Sequence, residues 1–541
     1  MQRRLLMCAA LVIGVGAACR SSLSASSPPA HASASNPAST AHARHLPVRL
    51  RRLSNAEYAQ TLTHILGFRV VLPASFPRDV LSNGFSSNDR QSVDPTYAAE
   101  AKKLARELAR RAVRERFEAL VPCAPANARC AESVVTAFER RAYRRPPRPA
   151  ETRAALELFR EAAQSGGFEV GLEQLIATLL VSPQVLYVSE LGAPASPEAR
   201  QLTSEEAASV LGYMLTGGPP DEALVSAGAE GRLRVPEQRA REAWRLLGQS
   251  NTRFQFRRFV HEWLGLDALA SLPKPVTDDQ QLRLGLIAET DAFVDEVFMY
   301  EGASLDKLLS ANFTVIPASL RTFEGLPPAA PGQHYGRVSL AGSARVGLLQ
   351  QPSFLAVHSH ESQTAPVLRG KAILERFLCI ELPRPTELGL QVTFPPPDPE
   401  LTTRQRHARH AEDPTCRSCH RTIDAIGFTF ENFDFVGRVR TEENQRAIDT
   451  RTEYGGPGGP QTFQDSRDVS RWLAGNPRAH ECFARQAFRF FTGQHDAGVE
   501  AAFLAERRRL PEAEQRDLFA TLVAFIQSPM FMQRTAKESG S

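Results

Sequence analysis

The chain has 541 residues, 42% hydrophobic and 23% charged, which is the balance of a folded protein rather than a disordered one and too long for one ordinary core. Its net charge of +4 is spread, with Lys and Arg interleaved among Asp and Glu, so no basic stripe suits nucleic acid and none is expected as a partner. After the leader, no segment reaches the roughly 18 consecutive apolar residues of a membrane span.

The N-terminus reads as an export leader. Arg3 and Arg4 precede an apolar stretch from Leu5 to Val15, then Gly16-Ala17-Ala18 and Cys19. That order predicts a lipoprotein-type signal over 1–19 with Cys19 as the acylated residue, with Gly16 standing where such signals usually have Leu. Residues 20–46 are mostly Ser, Ala, Pro and His and predict a disordered tether. The expected location is the periplasm or outer membrane, with the N-terminal lipid as the only membrane attachment.

The body predicts a mainly α, multidomain helical protein with Pro-rich linkers and a cytochrome-c-like CxxCH segment. Ser54-Asn55-Ala56-Glu57 is a capping-box pattern opening a helix through Leu66. Helical periodicity follows at 97–120, where Arg106 to Arg116 reads as a solvated face, and at 130–143, stopped by Pro146 and Pro147. Further runs lie at 149–164, 171–187, 203–215, 235–248, 252–265 and 282–300, where Asp295 and Glu296 read as solvated carboxylates. The Pro-rich stretch 384–399 reads as a linker and 455–460 as another boundary; 469–473, 482–491 and 516–527 look helical. The expected domains are 47–120, 121–195, 196–330, 331–445 carrying the CxxCH, and 446–541.

Of eight cysteines, Cys8 belongs to the leader and Cys19 to the lipid site. Cys123 and Cys130 flank a short turn-like segment suited to a local disulfide. Cys416 and Cys419 belong to Cys416-Arg-Ser-Cys-His420, which leaves Cys379 and Cys482 for a long-range bridge, although other pairings stay open. The C-x-x-C-H pattern offers two thiols for the vinyl groups of a porphyrin and an imidazole for its iron. It therefore predicts covalent haem c on Cys416 and Cys419 with His420 as proximal ligand. Three other readings stand beside it: a small disulfide, a zinc shell completed by Cys379 and Cys482, and a redox dithiol. For the sixth iron position His410 is the candidate nearest in sequence, with His407, His358, His360, His480, His495, Met530 and Met532 as further options. No G-x-S-x-G, H-E-x-x-H or Walker pattern supports hydrolysis, so no catalytic residue is assigned.

Several motifs together are recognisable. Arg51-Arg52-Leu53-Ser54-Asn55-Ala56-Glu57-Tyr58 with Asn83-Gly84-Phe85, then Phe138-Glu139-Arg140-Arg141-Ala142-Tyr143-Arg144-Arg145-Pro146 with Ser182-Pro183-Gln184-Val185-Leu186-Tyr187, open the series. Pro219-Pro220-Asp221-Glu222 and Phe259-Val260-His261-Glu262-Trp263-Leu264 follow. Arg369-Gly370-Lys371, the CxxCH, Ile423-Asp424-Ala425-Ile426-Gly427-Phe428 and Glu431-Asn432-Phe433-Asp434-Phe435-Val436-Gly437-Arg438 come next, then Cys482 to Gly493. The chain resembles the large secreted proteins first catalogued in planctomycetes, built from a fixed series of domains of unknown function, often with cytochrome c segments. Ala425 stands where that family tends to have Pro. The resemblance implies architecture and export, and no reaction. After the CxxCH, Asp424, Glu431 and Asp434 are candidates to hydrogen-bond His420 or brace a haem propionate's partner, and Arg438 or Arg440 to pair with a propionate; a purely structural role for Asp434 and Arg438 is equally open. The function expected is that of a haem-bearing or electron-transfer protein with a secreted or envelope redox partner. The alternative is a binding or scaffolding lipoprotein whose CxxCH is a disulfide or zinc staple.

Overall fold

Ser54 opens the first helix through its hydroxyl, which accepts from the Glu57 N–H, while the Glu57 carboxylate accepts from the Ser54 N–H at 2.8 Å. The helix runs Asn55–Leu66 and stops at Gly67, whose φ of 72° is left-handed. In this computed structural model, residues 45–535 are described apart from 197–198, 277–278, 384, 390–397 and 411–413. The leader, Cys19 and nearly all of the tether therefore lie outside the described residues, as does most of the 384–399 linker. The architecture is mainly α. No helix among the described residues is long and apolar enough to cross a membrane.

The helices Pro95–Leu120, Cys130–Tyr143 and Pro149–Leu180 follow, the last interrupted where Gly166 and Gly167 leave helical geometry. The helix expected over 171–187 ends earlier, at Leu180. Pro183 lacks the N–H that would continue the ladder, and after a single turn Tyr187–Glu190 becomes a strand paired antiparallel with Arg49–Arg52. Apolar faces of all these helices merge into one core with Leu53, Tyr58, Leu62, Phe138 and Leu175 at its centre. The turn at 455–460 joins the short strands Thr452–Tyr454 and Gln461–Phe463.

The two ends of the body meet. Leu46–Pro47 lies parallel to Gln533–Thr535, which pairs in turn with Ala199–Gln201. Beneath this sheet Glu190 is buried between Arg49 Nε at 2.8 Å and Arg534 Nη2 at 2.6 Å. Burial alone would raise the Glu190 carboxyl, but the two guanidiniums outweigh it and bring it down to about 2. Removing one partner from such a buried group leaves uncompensated charge, so the first and last described strands are held as one unit.

A second, larger core joins the helices Ser250–Leu264, Pro366–Phe377 and Pro477–Thr492. Its centre is aromatic: Trp263 lies parallel to Phe259 at 5.6 Å and tilted against Phe377 at 4.5 Å and Phe483 at 5.2 Å. Each such ring contributes roughly 2 kcal/mol by burial, with up to about 1 kcal/mol more from ring geometry. The Asn83-Gly84-Phe85 turn inserts Phe85 into this core against Phe259 and Phe490, and Glu262 holds it by accepting from the Ser86 N–H and hydroxyl, each at 2.7 Å. Asp295, read from the sequence as solvated, is instead buried and paired with Arg257 Nε at 2.7 Å, because its helix packs against Ser250–Leu264.

His261 ties three elements together: its Nδ1 meets Asp267 at 3.0 Å and its Nε2 meets Asp291 at 2.7 Å. Burial lowers an imidazole, but the two carboxylates outweigh it and lift His261 to about 9. A histidine raised in the folded state stabilises fully below its unfolded value near 6.5, and the contribution is lost as pH rises through about 9. Because Asp267 is exposed, that contribution is discounted to on the order of 2 kcal/mol. Denaturant titrations from pH 6 to 10 are expected to show this loss in the wild type and its absence in His261→Gln.

Candidate functional site

The CxxCH lies on the helix Pro414–Gly427, in which positions 416, 419, 420 and 424 fall along one side by the 3.6-residue period. That helix is seated by glycine. It crosses Pro366–Phe377 so closely that a Cβ at Gly370 would sit 2.1 Å from the Ile423 carbonyl oxygen, and one at Gly427 2.0 Å from that of Pro366. Only glycine permits backbone on backbone at both ends of the crossing. The neighbouring strand adds a further tie, the Thr452 hydroxyl donating to the Ala425 carbonyl at 2.6 Å.

Arg369, beside Gly370, is fully buried and donates to the Phe430 carbonyl at 2.9 Å, the Asp434 carbonyl at 2.9 Å and the Ser359 hydroxyl at 2.8 Å. Burial lowers its guanidinium to about 10, with Glu431 opposing that shift. Glu431 itself accepts from Thr364 at 2.7 Å and Arg440 at 3.0 Å, and its burial raises the carboxyl despite the guanidiniums of Arg369 and Arg440. Asp434 accepts from the Val436 and Arg438 N–H groups at 2.9 and 2.8 Å, closing the turn, and Arg438 lies over the Phe323 ring. Glu431, Asp434, Arg438 and Arg440 therefore brace the loop after the helix.

Asp424 behaves differently. Its carboxylate meets His420 Nδ1 at 3.1 Å, one turn along the same helix, and it is buried while His420 is partly exposed. The hydrogen bond raises the His420 pKa, against the effect of burial. Cys419 is half-buried and packs against the larger core. The side chains of Cys416 and His410 lie outside the described residues; His410 ends the helix Thr403–His410, on which His407 meets Phe428 edge-on at 6.2 Å.

Other residues considered from the sequence are placed elsewhere. His358 and His480 hydrogen-bond the carbonyls of Leu264 at 3.1 Å and Ala474 at 2.7 Å, and His495 stacks on Phe85. Met530 and Met532 are core residues. Cys123 is joined to Cys130 and Cys379 to Cys482, so a four-thiolate zinc shell around the CxxCH has lost two of its ligands. The close helix crossing was not read from the sequence; its signal was a glycine in each of two helical motifs that touch.

Four family models match in chain order: PSD3 (DUF1587) over 51–114, PSD5 (DUF1595) over 130–190, PSD4 (DUF1592) over 202–326 and PSCyt3 (DUF1588) over 345–443, each described as a protein of unknown function. In series, the four domains match the planctomycete-type multidomain proteins of unknown function. No curated protein and no solved structure matches it.

Asp424→Asn removes the charge that favours the imidazolium and leaves the effect of burial. Histidine C–H NMR titration, assigned with His420→Gln, is expected to show the His420 pKa falling relative to wild type.

Proposed function

We propose that the chain is an exported c-type haem protein of the cell envelope, in which residues 403–427 carry the haem and the helical body around them presents it to a partner. The observation that carries the reading is the CxxCH on a rigidly seated helix with Asp424 on His420 Nδ1. The donor set fits haem c: two thiols three positions apart for the thioethers, and an imidazole at the next position for the iron. With Nδ1 taken by Asp424, coordination falls to Nε2, and the carboxylate holds the ring orientation and raises its basicity. Bound there, the haem supplies one-electron transfer. Gly370 and Gly427 fix the helix, Arg369 fixes the loop that follows it, and His410 at the end of the preceding helix is the proposed sixth ligand. The leader motif supports export, a requirement for haem attachment in this class, and Cys19 is proposed to carry the lipid that anchors the chain to the membrane. The label of the model matching 345–443 carries a cytochrome abbreviation, which agrees with the reading.

The mature chain, expressed in a periplasm equipped for cytochrome c maturation, is expected to give a pyridine haemochrome spectrum with the band of two thioethers. Cys416→Ala is expected to shift or abolish that band. A colourless wild-type protein under competent maturation overturns the reading and leaves the CxxCH as a disulfide staple in a binding or scaffolding protein.

A further inference from the structure

A cleft of about 510 Å³, within the size range of small-ligand sites, opens where three segments converge: 143–148 after the helix Cys130–Tyr143, 183–192 around the strand Tyr187–Glu190, and 203–209 at the start of the helix Ser204–Thr216. Its walls are fixed by groups already committed to the fold. The buried Arg144 donates to the carbonyls of Gln184 at 2.5 Å and Tyr187 at 2.7 Å. Arg145 is paired with Glu151 at 2.7 Å, and Glu206 is occupied by the Thr203 N–H at 3.0 Å and the Ser189 hydroxyl at 2.7 Å. The cleft is therefore preformed, which lowers the ordering cost of binding.

A second set of lining groups is less committed, although the Arg148 charge acts on Glu151 and that of Glu205 on Arg145. The Arg148 guanidinium forms no ion pair among the described residues, and the side chains of Gln184, Tyr187, Glu205 and Ser209 make no hydrogen bond among them. Together these supply one cation, one anion, one amide and two hydroxyls around two tyrosine rings, Tyr143 and Tyr187, with exposed Leu50 on the rim. The mixture discriminates between ligand classes. A simple anion is opposed by Glu205 and a simple cation by Arg148, whereas a neutral molecule with many hydroxyls gives every one of these groups a partner. Arg145 lies over one side of the Tyr143 ring at 5.6 Å, so the Tyr187 ring and the other side of Tyr143 are the ones that suit the C–H faces of a sugar ring; an amide, a carboxylate and a guanidinium suit pairs of adjacent hydroxyls. We propose that this cleft is a carbohydrate-binding site for a short neutral oligosaccharide, independent of the CxxCH.

The test probes the full mature chain on an array of neutral, uronate-containing and sulfated oligosaccharides, then takes the best neutral binder into calorimetry. The expected result is saturable binding of a neutral glycan, weakened about tenfold in Glu205→Gln and in Tyr187→Phe, with the thermal midpoint of both variants kept near wild type. Binding of no neutral glycan, or of acidic glycans alone in a salt-sensitive manner, overturns the proposal. So does unchanged affinity in both variants.

Discussion

Everything at the candidate site depends on one crossing of two helices at backbone contact. Gly370 meets the Ile423 carbonyl and Gly427 meets that of Pro366, so at these two points the CxxCH helix lies on Pro366–Phe377 with no side chain between them. At ordinary separation helix axes stay 8–10 Å apart, set by the side chains at the contact. Removing those side chains exchanges packing volume for positional accuracy. The supporting helix is itself fixed from its other side, where Phe377 packs on Trp263 and the Trp263 indole N–H donates to the Arg376 carbonyl at 2.9 Å. Rigid support thus passes from the aromatic core to Pro366–Phe377 and then to the helix that carries His420.

The same core explains why so long a chain surrounds one short motif. Phe85, from the first matched domain, is inserted beside Phe259 of the third and Phe490 of the C-terminal region, while Glu190 is held by arginines from both ends of the body. The Cys379–Cys482 disulfide adds a covalent tie from the end of the supporting helix to Pro477–Thr492. Segments distant in sequence therefore share in holding the helix that carries the CxxCH.

How much of this was legible follows from the range of each interaction. The capping box at Ser54 was readable because both partners lie within four residues, and Asp424 was readable beside His420 because one helical turn separates them. The small strands were not: they are two to five residues long, and those that close the body pair across more than a hundred residues, as Leu46 does with Arg534 and Arg49 with Glu190. Periodicity carried the helix at 171–187 too far because apolar residues continue past Pro183 into a strand. Asp295 looked solvated because its partner Arg257 lies on another helix. A single glycine inside a helical pattern reads as a small loss of stability; only the fold reveals Gly370 and Gly427 as a contact. The acidic and basic residues after the CxxCH were legible as a group, but their division into a histidine partner, Asp424, and a loop brace needed the structure.

The most direct measurement is native-state amide hydrogen exchange on the wild type and Gly370→Ala. A methyl group there cannot fit against the Ile423 carbonyl, and overpacking of this kind costs roughly 1–3 kcal/mol. The account predicts that protection falls across 414–427 and 366–377 while Asn55–Leu66 keeps its wild-type protection. Unchanged protection across 414–427 in Gly370→Ala would contradict it, because the CxxCH helix would then be held by something other than the glycine crossing.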